Sequence, residues 1–139
     1  MEKKTYPSAG RRFGYLVGIL INFAMIYVVT NLLNWNVPFL TERFIESIWA
    51  INLSLSVSIF IHFIHLFYDP KWFRSLMQAM ANVFSFVSTL VFWRVFPLAL
   101  SENIARVVNL AIIIIMALIG LSVFVELFNA IRNYQKKLA

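Results

Sequence analysis

Long apolar runs separated by short polar stretches dominate the chain. Four runs, residues 13–33, 48–67, 76–98 and 104–128, each supply about the 20 residues that a helix needs to cross a hydrocarbon core about 30 Å thick. Pro38, Pro70 and Pro97 fall in or beside the three connections. Proline inside a helix removes a hydrogen bond, so it collects at breaks. Thr41, Asp69 and Ser101 stand where N-caps of the following helices belong. Asp69-Pro70 reads as a cap followed by proline at the first helical position. The pattern predicts an all-α integral membrane protein, a four-transmembrane-helix bundle over residues 13–128. Residues 1–12 and 129–139 read as basic tails.

Composition agrees with this reading. Of 139 residues, 61% are hydrophobic and only 13% charged. A soluble domain would be about a quarter charged, so a water-soluble globule and a disordered segment are both excluded. There is no cysteine. That removes disulfides, thiol catalysis, iron–sulfur clusters, c-type haem and thiolate zinc sites together. The net charge of +6 is carried at the ends of the apolar runs. Anionic lipid headgroups, not nucleic acid, are therefore the expected polar partner.

Orientation follows from lysine and arginine. Lys3, Lys4, Arg11 and Arg12 precede the first run, Lys71 and Arg74 lie in the middle connection, and Arg132, Lys136 and Lys137 follow the last. Only Arg43, Arg94 and Arg106 lie on the other side. Cations are retained in the cytoplasm, so both termini are expected there and the protein in the plasma (cytoplasmic) membrane. The first run is too long for a signal peptide, and residues 34–38 lack a small-x-small cleavage site, so an uncleaved span is expected. Trp35, Trp49, Trp72 and Trp93 lie near the boundaries, as an interfacial aromatic belt would.

Polar side chains inside the spans carry what chemistry there is. At roughly 100° per residue, Ser47, Ser54, Ser58, His62, His65 and Asp69 share a wedge of roughly 80° on the second span. Ser75, Gln78, Asn82, Ser85 and Thr89 share a similar wedge on the third. Polar groups are costly against lipid, so both faces should point at protein, and they are placed to face each other. One reading is packing, with small polar residues bonding across a close helix contact. The other is an ion or proton path that ends at the histidines. Gly14 and Gly18 form G-x-x-x-G, which permits close approach to a neighbouring helix, in this copy or another. Asn22, Asn52, Asn82 and Asn109 give each span one amide, expected to bond between helices.

His62 and His65 share one helix face, with Glu126 expected at similar depth on the fourth span. Two imidazoles and a carboxylate could hold a metal, and haem would need a second ligand-bearing helix from another copy. No cofactor is predicted outright, since the histidines are equally served by hydrogen bonds at the interface. Glu126 is the one acid within the spans, either paired with Lys71, Arg74 or Arg132 or left as a titrating group. Arg94 can snorkel to headgroups or pair with Glu42, Glu46 or Glu102. No nucleotide loop, serine elbow or paired-carboxylate site appears. The expected function is non-catalytic: an accessory, assembly or structural subunit packed against other membrane helices, or a homo-oligomer. A small channel or transporter and a metal or haem redox protein are the alternatives.

Overall fold

The structure, a computed structural model, describes residues 6–139. Lys3 and Lys4 lie outside the described residues. Four helices follow in order: α1 (Ala9–Asn31), α2 (Ile45–His65), α3 (Lys71–Val95) and α4 (Glu102–Leu138). A single 3-10 turn, Glu42–Phe44, leads into α2. All four are long and apolar enough to cross a membrane. The chain is a multi-pass membrane protein built as an all-α four-helix bundle.

The helix ends differ from the apolar runs for local reasons. The hydroxyl of Ser8 accepts the Arg11 N–H at 3.4 Å, so α1 starts at Ala9 and carries Arg11 and Arg12 in its first turn. The basic N-tail is therefore partly helix. The C-tail is helix as well, because α4 runs unbroken to Leu138. Nothing after Phe128 breaks it: there is no proline or glycine, and Lys136 and Lys137 complement the negative end of the helix dipole. At 1.5 Å per residue α4 is about 55 Å long, well beyond one hydrocarbon thickness. None of the three expected side-chain caps forms. Pro70 occupies the cap position of α3, and Asp69 one residue earlier is drawn into tertiary contacts. Thr41 and Ser101 stand at their helix starts without a side-chain cap bond.

One end of the bundle carries the start of α1, the α2–α3 connection and the C-terminal turns of α4. Arg11 reaches Asp69, and Trp72 packs on Tyr134 with ring centroids 5.3 Å apart. This is the basic end. At the far end the other two connections meet. Thr41 N–H donates to Pro97 O and Ala99 N–H to Phe39 O, each at 2.8 Å, framing an antiparallel bridge between Leu40 and Leu98. Phe96 adopts a left-handed conformation (φ 41°) to make the turn, and Pro97 after it is fully buried.

Packing is sequential. Among the described residues α1 packs on α2, α2 on α3 and α3 on α4, while no other pair of these helices brings Cα atoms within 8 Å of each other. The bundle is therefore open on one side.

Candidate functional site

Asp69 forms the densest polar node. Its side chain is fully buried although it lies in a connection. The Tyr15 hydroxyl donates to Oδ1 at 2.8 Å, and the Arg74 Nε–H donates to the same oxygen at 3.0 Å. A second Arg74 N–H reaches the Asp69 backbone carbonyl at 3.3 Å. Arg11 faces Oδ2 at 3.6 Å, an ion pair too long for a hydrogen bond, so Oδ2 accepts none. The buried His65 lies with Nδ1 3.4 Å from both Asp69 Oδ1 and the Tyr68 carbonyl, and its ring stacks on Tyr15 at 5.3 Å. Three elements thus converge on one carboxylate: the first turns of α1, the end of α2 and the start of α3.

His62 does something else. Its Nδ1–H donates to the Ser58 carbonyl at 2.6 Å, which leaves Nε2 as an acceptor turned toward α1. Gly18 makes room for that ring. A Cβ on Gly18 would lie 2.6 Å from both Cδ2 and Nε2 of His62. Gly14 faces open space, with nothing within 4 Å of a Cβ built there. The G-x-x-x-G pair therefore does not act as a unit inside the chain; Gly18 alone marks a close approach.

The polar wedges of α2 and α3 touch at Ser54 and Ser85, whose hydroxyl oxygens are 3.5 Å apart. That spacing leaves no room for a water between them. Thr89 bonds back to the Ser85 carbonyl, and Gln78 donates to Asn82 at 3.2 Å within α3. Of the four amides, Asn52 donates to Thr30 of α1 and Asn109 accepts from Trp93 of α3 at 2.6 Å. Asn22 instead bonds the Gly18 carbonyl of its own helix, and Asn82 its own neighbour Gln78. Both are held by the residue four positions earlier on their own helix.

The ionisable residues do not gather as their depth suggested. Among the described residues, no three His, Cys, Asp or Glu side chains come together as a metal-binding group. His65 is spent on Asp69, and His62 and Glu126 stand on helices, α2 and α4, whose Cα atoms stay more than 8 Å apart. Glu126 makes no ion pair or hydrogen bond with Lys71, Arg74 or Arg132. Arg74 is taken by Asp69, Arg132 donates to Asn129, and Lys137 lies over the Trp72 ring. Arg94 likewise has no acid, because Glu46 pairs with Arg43 and Glu102 with Arg106 along their own helices. It lines an open depression at the far end with Trp93, Phe96, Ala105, Arg106 and Asn109.

The contacts also fix how each helix is rotated. On α3, Trp72, Phe86 and Trp93 face α4, while Ser85 faces α2 and Phe92 the turn leading into it. At roughly 100° per residue these two sets lie roughly 120° apart, with Gln78, Asn82 and Thr89 between them. On α2, Ser54 faces α3, and His62 and Asn52 face α1, again roughly 120° apart, with Ser58 between. On α4, Asn109, Gly120 and Tyr134 face α3. Ser122, Glu126, Asn129 and Asn133 form a stripe roughly 100–160° to one side of that face, with Glu126 nearest to it. Because the helices are right-handed and neighbours run antiparallel, this stripe turns to the side on which α2 and the Gln78–Asn82 face lie. The same construction puts α1 on that side too. The four axes follow a crescent, and its concave side is the polar one.

Two groups of these residues were not foreseen as sites. Arg11 and Arg74 read as orienting charges, and Tyr15 has only its place near the inner boundary to mark it, although all three lie at the same membrane boundary as Asp69, an acid set among cations. The stripe of Ser122, Asn129 and Asn133 beside Glu126 was legible in the helical period alone. No protein-family model, curated protein or solved structure matches the chain.

Proposed function

We propose that this protein acts without catalysis, as an accessory, assembly or stabilising subunit packed against other helices in the cytoplasmic membrane, with both termini in the cytoplasm. The supporting observation is the unclosed crescent. Four helices that only had to satisfy one another would bring α1 against α4, yet no Cα of one lies within 8 Å of the other. Polar residues on the concave side are then left within the span without a polar partner from another helix: Gln78 is exposed there and Glu126 is partly covered. Lipid is a poor partner for such groups, and other membrane helices are a good one.

The test is a native mass spectrum after gentle extraction from the source membrane. A stoichiometric second polypeptide, or a defined homo-oligomer, is expected. A bare monomer in every detergent tried would sink the reading. A path between α2 and α3 has less support, since Ser54 and Ser85 close that seam; equal ion flux in loaded and empty liposomes is the expected result.

A further inference from the structure

Glu126 makes the concave side selective. It lies eight positions before Tyr134, which packs on Trp72 at the basic end. At 1.5 Å per residue its Cα is about 12 Å further into the membrane than that aromatic pair. A carboxylate at that depth is costly unless it is paired, and such residues usually mark a functional contact. Among the described residues no cation pairs it. The nearest cation along α4, Arg132, donates to Asn129 and lies 5.9 Å from the Phe128 ring centroid.

The shape of the concave side limits what can fill it. Successive axes that turn by roughly 120° at ordinary helix spacings of about 9 Å occupy four vertices of a hexagon. The centre of that hexagon lies about 9 Å from all four axes, one normal helix–helix distance. The crescent thus has room for one helix and no more. We propose that it receives a single transmembrane helix of another protein, and that this helix carries a lysine or arginine at the depth of Glu126. Ser58, His62, Gln78 and Asn82 line the rest of the basic half and offer hydrogen bonds around the ion pair.

A second copy of this chain fits less well. Its described cations all lie at helix ends: Arg11, Arg12, Lys71, Arg74, Arg132, Lys136 and Lys137 at the basic end, Arg43, Arg94 and Arg106 at the far end. A copy in the same orientation offers Glu126 no positive charge at its own depth.

This inference rests on the packing-subunit reading, and one experiment separates the two. The purified protein is placed in lipid nanodiscs with a synthetic leucine–alanine transmembrane helix carrying one lysine at the depth of Glu126. A second helix has leucine in place of that lysine. The lysine helix is expected to bind one to one, about tenfold tighter than the leucine helix, the size of a good interhelical polar contact. Glu126→Gln abolishes the preference, and Glu126→Asp keeps it, which separates charge from folding. The chain has no cysteine, so Asn82→Cys is expected to cross-link to a cysteine in the peptide, and Leu121→Cys on the opposite flank of α4 is not. Equal binding of the two helices, or equal cross-linking from both positions, overturns the inference. If the protein ignores the lysine helix yet carries another subunit or self-assembles by native mass, only the groove assignment falls. A monomer that binds neither helix overturns both.

Discussion

The Tyr15 hydroxyl donates to Asp69 across 54 positions of sequence, at 2.8 Å. That bond ties the first helix to a connection between the second and third, and it is one of several on the same carboxylate. The node therefore holds three elements through a single acid, and loss of the acid should cost more than loss of any one donor.

Asp69→Asn removes the charge that Arg74 and Arg11 share. The carboxylate is fully buried, but the guanidiniums left behind are a third and a half exposed and partly solvated, so the cost is about 2–3 kcal/mol, the size of a lost charged hydrogen bond. Tyr15→Phe removes one hydrogen bond and should cost about 1 kcal/mol. Arg11→Gln should cost least, within about 1 kcal/mol, since Arg11 is half exposed and 3.6 Å away. Unfolding by titration with denaturing detergent gives the ranking. Equal effects from Asp69→Asn and Arg11→Gln would show that the node does not hold the bundle.

Two glycines four positions apart should respond differently. Gly18→Ala drives a methyl into the His62 ring, which its bond to the Ser58 carbonyl holds in place. Overpacking of this kind costs about 1–3 kcal/mol. His62→Ala should relieve most of that cost in the double variant. Gly14→Ala meets nothing and should be neutral or stabilising by up to about 1 kcal/mol from helix propensity. Thermal unfolding of the four variants decides.

Ser85→Leu should separate α2 from α3, because the Ser54 hydroxyl is 3.5 Å from the one replaced. A cost of at least about 1–3 kcal/mol is expected from overpacking. Replacing both serines with alanine should cost under about 1 kcal/mol, as small residues keep the close approach. Similar stability of the leucine and double-alanine variants would count against a packed seam.

The far-end bridge offers a geometric and a topological test. Leu40 and Leu98 form a pair that does not exchange its own hydrogen bonds, framed by those of Thr41 with Pro97 and Ala99 with Phe39. Cα atoms in such pairs are about 4.5 Å apart, within disulfide range. Leu40→Cys with Leu98→Cys should therefore oxidise to an intramolecular disulfide. A membrane-impermeant maleimide should label Asn34→Cys in intact cells and leave Ala139→Cys unmodified. The reverse labelling would invert the orientation.

The fold was legible because span length and charge bias act on each segment by itself. Residues 13–33 are apolar enough to span whatever they pack against, and nine of twelve cations mark one side. What failed depended on neighbours. Asp69 has the local sequence of a cap, but Tyr15 and Arg74 outbid the backbone for its oxygens. Residues 129–139 look like a tail because charge ends the apolar run, yet charge does not end a helix. Glu126 was read as a candidate for pairing with Lys71, Arg74 or Arg132, which share its side of the membrane. Each of those is engaged or exposed elsewhere, which only the rotation of α3 and α4 could reveal.

The loop bridge at the far end also bears on how the chain assembles during synthesis. Phe39 and Thr41 emerge with the first helical hairpin, whereas Pro97 and Ala99 emerge with the second. The first hairpin consequently waits with one N–H and one carbonyl lacking their eventual mates. At the opposite boundary, Asp69 can already be met by Tyr15 and Arg11. The younger hairpin thus arrives against a partner anchored on one side of the bilayer and unsealed on the other. Its two backbone bonds set its register by clipping onto that unsealed edge.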